Sequence, residues 1–271
     1  MSCTAVTTEG MNVDAAQSLR SVDSRSPAVT RAVALLEELA RQRGPLGIAD
    51  LARSLDLAKS TVANLCTALE GTKMIRRVDG GWALGHKVVE LGQAFLASTD
   101  LVAEFRRTTS ALPVGGQETV LLAVLDGLEV VYLARHDGTQ PIRLASDIGR
   151  RMPAVVTALG KAMLATLEED ELERRLAGID ELPVLTGRSH RTMDELRRDL
   201  GETRARGYAL DDEQNTDGVA CVSVALPGCG GHTPAAVSAT LLKARLTDDL
   251  RDGLVADLTS LAHELSRLAT W

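Results

Sequence analysis

The sequence predicts an α+β chain of two modules: a small one of three short helices and a hairpin, and a larger one with an antiparallel sheet flanked by helices. Three observations carry this reading. Apolar residues between Pro27 and Glu70 recur at helical spacing in three short blocks. Two pairs of β-rich runs, at 74–84 and 119–134, each enclose a turn containing Asp and Gly. Beyond Pro153, helical blocks are followed by strand runs and then a leucine-striped helix, the order of an α+β domain.

Each element has a local reason. In the first block Val29, Ala32, Val33, Leu36, Leu39 and Ala40 share a helical stripe; Pro27 suits the first turn and Gly44-Pro45 ends the run. The second block places Ile48, Leu51, Ala52 and Leu55 at i, i+3, i+4 and i+7, and the third repeats that spacing with Val62, Leu65, Cys66 and Leu69. Only Asp56-Leu57-Ala58 joins these two helices. So short a connection forces a steep crossing, the helix-turn-helix arrangement. The third helix leaves Lys59, Ser60, Thr61, Ala63, Asn64 and Thr67 off its apolar stripe. Short hydrogen-bonding side chains with one positive charge suit a major groove; they equally suit a solvated face with Ser60 or Thr61 as a cap. Met74-Ile75-Arg76-Arg77-Val78 and Trp82-Ala83-Leu84 then form a basic hairpin around Asp79-Gly80-Gly81. Helix, helix-turn-helix and basic wing together predict that residues 26–86 bind double-stranded DNA. The expected contacts are Lys59, Ser60, Thr61, Asn64, Arg76 and Arg77.

Composition narrows the classes. At 45% hydrophobic and 25% charged, the 271 residues make a soluble globular chain of two ordinary domains. No apolar run approaches the roughly 18–20 residues needed to span a bilayer, so the chain reads as cytoplasmic with no membrane partner. Residues 1–25 lack a basic-then-apolar pattern and read as a disordered tail. Cys3, Cys66, Cys221 and Cys229 form no CxxC pair and the histidines are scattered, so reduced thiols, no metal site and no cofactor are expected. The net charge of −7 excludes a polycation. Yet residues 20–87 hold eleven Lys and Arg against seven Asp and Glu, whereas 88–271 carries −9. A basic module on an acidic body favours local contact with phosphates.

A linker helix is expected over 87–112, with Leu91, Phe95 and Phe105 on its apolar stripe. A helix between domains has little core of its own to cover, so this stripe is expected to be buried against a second copy, in a homodimer or homotetramer. The larger module occupies 113–271. Runs at 119–125 and 128–134 flank Asp126-Gly127, a two-residue hairpin signal, and 142–145 adds a short strand. Helices are expected over 154–167, 168–176 and 192–206, the last stopped by Gly207. Strands resume at 208–211, 220–226 and 235–242, and leucines from Leu246 to Leu268 stripe the final helix.

Three acids, Asp211-Asp212-Glu213, end a strand, and Cys221 opens the next. Ser238 and Thr240 share one face of the strand after that. Converging on an aliphatic sheet, an acid, a thiol and two hydroxyls would anchor a small ligand. As ordinary polar residues at a strand edge, they need none. Aromatic residues make up only 2% of the chain, so any pocket here is walled by aliphatic side chains.

The chain resembles the IclR family of bacterial transcriptional regulators. The resemblance rests on Thr30-Arg31-Ala32-Val33-Ala34-Leu35-Leu36, Ala49-Asp50-Leu51-Ala52, Lys59-Ser60-Thr61-Val62 and Trp82-Ala83-Leu84-Gly85. It continues through Gly160-Lys161-Ala162-Met163-Leu164-Ala165 and the stretch 207–221, in order and spacing. It implies a winged helix-turn-helix, a linker helix and a GAF-like effector-binding domain that takes a small organic or aromatic acid or a related compound. It also implies that Asp211, Cys221, Ser238 and Thr240 hold the effector, with Leu144, Met152 and Ala158 in the wall. The chain departs from the family pattern in places. Ala63-Asn64 stands where the family commonly has His-Arg, so operator preference does not carry over. Lys73 stands near a usual glycine, and Thr240 where serine is frequent.

Two other classes compete with a regulator. An enzyme with Cys221 as nucleophile lacks a histidine nearby in sequence other than His232, and there is no phosphate loop or oxyanion glycine motif. A pure oligomerisation or adaptor protein leaves the basic wing without a use. The chain is therefore expected to be a ligand-responsive repressor and not an enzyme.

Overall fold

The computed structural model describes residues 26–42, 44–97, 100–140, 147–177, 179–228 and 233–268. The tail expected at 1–25, the strand expected at 142–145, Leu144, Cys3, Cys229 and His232 lie outside the described residues. The chain divides into two compact units, with the boundary after Phe95. No helix among the described residues is long and apolar enough to cross a membrane.

The first unit contains α1 (Pro27–Arg41), α2 (Ile48–Ser54), α3 (Lys59–Gly71), β1 (Ile75–Val78) and β2 (Gly81–Leu84). Leu35, Leu39, Leu51, Leu55, Val62, Cys66, Ile75 and Trp82 form its core. The inward face of α1 differs from the sequence expectation. Ala34, Leu35, Glu38 and Leu39 are buried, while Val29 and Val33 are 62% and 48% exposed. At 3.6 residues per turn the two sets lie on opposite sides of the helix, and one side alone meets the small core. The buried Glu38 carboxylate accepts hydrogen bonds from Arg41 and from Gln42 at 3.2 Å, which offsets its desolvation.

The tight connection between α2 and α3 is made without glycine. Asp56 adopts a left-handed conformation (φ 51°), and the Leu57 N–H reaches back to the Ala52 carbonyl at 3.0 Å. Lys73 does the same after α3 (φ 62°), with the Met74 N–H on the Leu69 carbonyl at 2.9 Å. That is the geometry for which glycine is favoured. In the hairpin Val78 pairs with Gly81 across the turn Asp79-Gly80, and Leu46 bridges Trp82 from outside. Gly81 permits that approach, since a Cβ there would lie 2.3 Å from the Leu46 carbonyl oxygen. α4 (His86–Ala97) follows the hairpin and carries Val89, Leu91 and Phe95 exposed.

In the second unit α5 (Asp100–Thr109) precedes β3 (Thr119–Asp126), β4 (Glu129–His136) and β5 (Arg151–Pro153). Next come α6 (Ala158–Leu164), α7 (Glu169–Leu176) and α8 (Met193–Arg206). β6 (Ala209–Asp212), β7 (Val219–Ala225), β8 (Ala235–Leu242) and α9 (Asp248–Ser266) complete it. Among the described residues the strands form one antiparallel sheet, ordered β5-β4-β3-β8-β7-β6. Its central strands β3 and β8 are buried on both faces, which is why they read as nearly continuous runs of small and apolar residues. On the outer face Leu101, Val102 and Phe105 of α5 pack with Leu254, Leu258, Leu261 and Leu265 of α9. Phe105 is fully buried in this core, so the expectation that it faces a second copy is corrected: its own sheet covers it.

On the inner face α6, α7 and α8 cover Leu121, Ala123, Leu125, Val130 and Ala236. The hairpin turn falls on Gly127-Leu128, one residue later than expected, because Asp126 still pairs with Glu129. The helical run expected over 154–167 divides into a 3-10 turn (Ala154–Val156) and α6, where Thr157 caps the Gly160 N–H at 3.1 Å. Gly160 makes this junction fit, because a Cβ on it would lie 2.1 Å from the Ala154 carbonyl oxygen. α8 opens with a capping box between Thr192 and Glu195, and Gly207 closes it in the left-handed conformation.

Candidate functional site

The first surface lies on α3 and the hairpin. Lys59, Ser60, Asn64, Arg76 and Arg77 are exposed and Thr61 is half-buried. The N-cap of α3 is Ala58, which has no side chain to cap with, so neither Ser60 nor Thr61 serves as a cap. The first-turn N–H groups therefore stay open to a phosphate, with Lys59 beside them. Arg77 stacks on Trp82, 4.5 Å from the ring centroid and opposite it in the β1–β2 register, with Glu70 at 3.7 Å. Arg76 points from the other side of the strand and makes no ion pair among the described residues. The wing thus offers one anchored and one uncommitted guanidinium.

The second site is written in the sheet register. Thr119 pairs with Thr240, Thr240 with Cys221, and Cys221 with Asp211, so four adjacent strands carry one polar row. The neighbouring row is Leu121, Ser238, Ser223 and Ala209. Both rows belong to the inner face, beneath α6. Asp211 is 1% exposed, Ser238 2% and Thr240 7%. The Cys221 thiol and the Thr240 hydroxyl lie 3.4 Å apart, and the Ser223 hydroxyl donates to the Val237 carbonyl at 2.8 Å. The Ser238 hydroxyl makes no hydrogen bond to another described residue.

The electrostatics of this row are distinctive. Burial pushes the Asp211 carboxyl up to about 6, against the opposing pull of Lys161 and of the N–H groups of Gln214 (2.8 Å) and Asn215 (3.2 Å). Burial and the neighbouring Asp211 push the Cys221 thiol far up as well. A thiol held protonated can donate a hydrogen bond but is a poor nucleophile. Met152 (beside Val130) packs against the same inner cluster, and Ala158 at the start of α6 is buried in it. The structure therefore brings Asp211, Cys221, Ser238, Thr240, Met152 and Ala158 onto one side of the sheet.

Lys161 is the functional neighbour that sequence reasoning missed. It is fully buried on α6, and its Nζ donates to Asp199, to the Leu210 carbonyl and to the Gln214 side chain. His190 bonds Asp199 at 2.9 Å and Gln214 at 3.1 Å. Burial alone would raise the Asp199 carboxyl; the His190 hydrogen bond and Lys161 hold it down to about 2 instead. Gln214 bonds Lys161 through its side chain and Asp211 through its backbone, so this network braces the end of β6. One sequence signal was available: Lys161 is the single charge in the otherwise apolar Ala158-Leu159-Gly160-Lys161-Ala162-Met163-Leu164. A separate open cleft of about 520 Å³ runs along α8 past His190, Asp199 and Gln214, and none of the expected effector residues lines it.

Comparisons with known proteins agree with both domains. Residues 28–79 match the IclR helix-turn-helix domain, and residues 93–267 match the bacterial transcriptional regulator IclR C-terminal domain. The transcriptional repressor IclR of Escherichia coli K12 is 31% identical over 229 residues, covering 82% of each chain. The crystal structure of a transcriptional regulator from Rhodococcus sp. RHA1 superimposes with a TM-score of 0.77 at 28% identity, covering 90% of this chain and 99% of that one. An IclR homologue from Microbacterium hydrocarbonoxydans, solved in complex with 4-hydroxybenzoate, shares the fold at 20% identity (TM-score 0.75, 89% and 99% covered). With a winged helix-turn-helix for DNA followed in the chain by a six-stranded effector domain, the chain belongs to the IclR family of bacterial transcriptional regulators.

Proposed function

We propose that the protein is a repressor whose residues 26–86 grip a pseudo-palindromic operator and whose residues 113–271 bind a small organic effector, with 87–112 as linker, in a homodimer or homotetramer. The observation that carries this is the polar row Asp211–Cys221–Thr240, with Ser238 beside it, inside an otherwise aliphatic layer. Buried polar groups cost stability unless partnered, and a ligand with hydrogen-bonding oxygens supplies partners. Above about pH 6 an ionised Asp211 accepts from a ligand O–H or N–H, while hydroxyls and thiol donate to a carbonyl or carboxylate. The relative that holds 4-hydroxybenzoate makes aromatic acids a natural first set of probes.

On DNA, Thr61 and Asn64 read the groove while Lys59, Ser60, Arg76 and Arg77 hold phosphates. The exposed Val89, Leu91 and Phe95 of α4 support the reading that a second copy covers this helix. The test is calorimetric titration after a thermal-shift screen of small carboxylic and aromatic acids. Ser238→Ala and Asp211→Ala should each lower effector affinity by about tenfold, the loss of one buried hydrogen bond, and leave operator affinity of the free protein unchanged. Unchanged effector affinity in both variants would move the pocket elsewhere.

A further inference from the structure

Tyr132 stands out on the inner face of the sheet. Alternation along β4 would put Val130, Tyr132 and Ala134 on one face. The β3–β4 register shifts between Leu122 and Ala123: Ala134 pairs with Leu122, but Tyr132 pairs with Ala123, and Leu133 is the extra residue. Leu133 and Ala134 accordingly join the outer cluster, whereas Val130 and Tyr132 join the inner one. A β-bulge of this kind re-aims side chains, and here it turns a tyrosine toward the layer that holds Asp211 and Ser238.

Small side chains flank it. Tyr132 shares its row with Ala123, Ala236 and Ala225, three small residues next to the Ser238 row. The side chain is buried (6% exposed), yet its hydroxyl makes no hydrogen bond to any described residue. Burial dominates its ionisation, and both Cys221 and Asp211 act on it, which places the phenol near the polar row. Two hydroxyls on one inner face, Tyr132 and Ser238, thus have no hydrogen-bond partner among the described residues. The fully buried side-chain atoms without a hydrogen bond among the described residues are Thr203 Oγ1, Arg206 Nη2 and Asp212 Oδ1, so these two hydroxyls keep some access for a ligand oxygen to complete them.

We propose that Tyr132 is a specificity-determining effector contact, whose hydroxyl bonds an oxygen of a small hydroxylated carboxylic acid and selects it over the analogue without that hydroxyl. This rests on the effector reading above. A site built to bond an oxygen penalises the ligand that lacks it, because the protein group is then left unpaired. Conversely, Tyr132→Phe removes the unpaired group together with the discrimination.

The test uses the full-length protein with two probe pairs, 3-hydroxybutyrate against butyrate and 3-hydroxybenzoate against benzoate, titrated by calorimetry. The parent protein should prefer the hydroxylated member of at least one pair by tenfold or more, and Tyr132→Phe should bring that ratio close to one. Without any probe, Tyr132→Phe should melt at or above the parent temperature, by up to a few degrees. A purely structural tyrosine gives the opposite pattern: a lower melting temperature and an unchanged ratio, which overturns the proposal. If the ratio persists in Tyr132→Phe while Ser238→Ala loses affinity, the pocket stands and the role of Tyr132 falls. If none of the four acids binds, the small-acid reading fails and the proposal fails with it.

Discussion

Lys59, Ser60, Asn64, Arg76 and Arg77 stand exposed on the first unit, around a core that does not include them. Asp211, Ser238 and Thr240 of the second unit are more than nine-tenths buried, and Lys161 completely so. One unit meets a large charged partner at its surface and leaves its polar groups in water until contact. In the proposed function the other meets a small partner in its interior, and it must hold polar groups away from water beforehand. Replacing a surface contact should therefore alter binding and little else. Replacing an interior one alters folding as well, and the five variants below separate the two cases.

The largest effect is expected at Lys161. Lys161→Ala leaves Asp199 buried with one cationic partner fewer and empties the site of the Leu210 and Gln214 hydrogen bonds. Losing one member of a buried ion pair costs about 3–5 kcal/mol, read in a denaturant titration. A loss below about 1 kcal/mol would mean that the network is not built as described. Asp211→Asn comes next and has a pH signature. Its carboxyl is raised to about 6 by burial, so the folded protein holds this proton more tightly than the unfolded chain does. The resulting stabilisation is present below about pH 4 and lost as pH rises to about 6, about 3 kcal/mol at most. Between pH 4 and pH 7 the Asn variant should lose correspondingly less stability than the parent. Asp199 contributes in a lower window, where stability falls as pH drops below about 4.

The first unit should respond more mildly. Lys73→Gly relieves a left-handed backbone at a cost of more freedom in the unfolded chain, for a net gain of about 0.5–1 kcal/mol. Thermal melting of the full chain would detect it as a rise of the lower transition or of its onset. The smallest effect distinguishes two adjacent arginines. Arg77→Ala loses its stacking on Trp82, worth about 0.5–1 kcal/mol, whereas Arg76→Ala should leave stability unchanged. Both should weaken binding to every DNA sequence and lower the salt dependence by about one counterion each. Equal stability losses in the two variants would contradict the anchored and free arrangement.

The same contrast explains what could be read from the sequence. The helices of the first unit were legible in Leu51, Leu55, Val62 and Cys66, because a 3.6-residue stripe faces a single core. α1 misled, since Val29 and Val33 continue an apolar stripe that the core does not use. In the second unit five strands were legible to within a residue or two, as at β8, whereas the three-residue β5 was not, because Arg151-Met152-Pro153 is too short to show alternation. Pairing was not: the row Thr119, Thr240, Cys221, Asp211 spans residues far apart in the chain, and only register unites them. Alternation alone put Tyr132 and Ala134 together, and the bulge at Leu133 is a tertiary choice that no local pattern announces.

On the proposed reading, those paired rows also say how a chain of this kind can change what it senses. Successive inner residues along a strand lie about 7 Å apart, and hydrogen bonding fixes the spacing between strands. The inner face of the sheet is therefore a grid whose nodes are single residues and whose dimensions do not depend on which side chains occupy them. Exchanging one node, as serine for threonine at 240, alters one point of contact and leaves its neighbours in position. Inserting one residue into β7 or β8 would instead turn every later node of that strand to the opposite face. Substitution at the nodes can thus change an effector preference without disturbing the grid, whereas a change of length preserves the grid only in the turns at the ends of the strands.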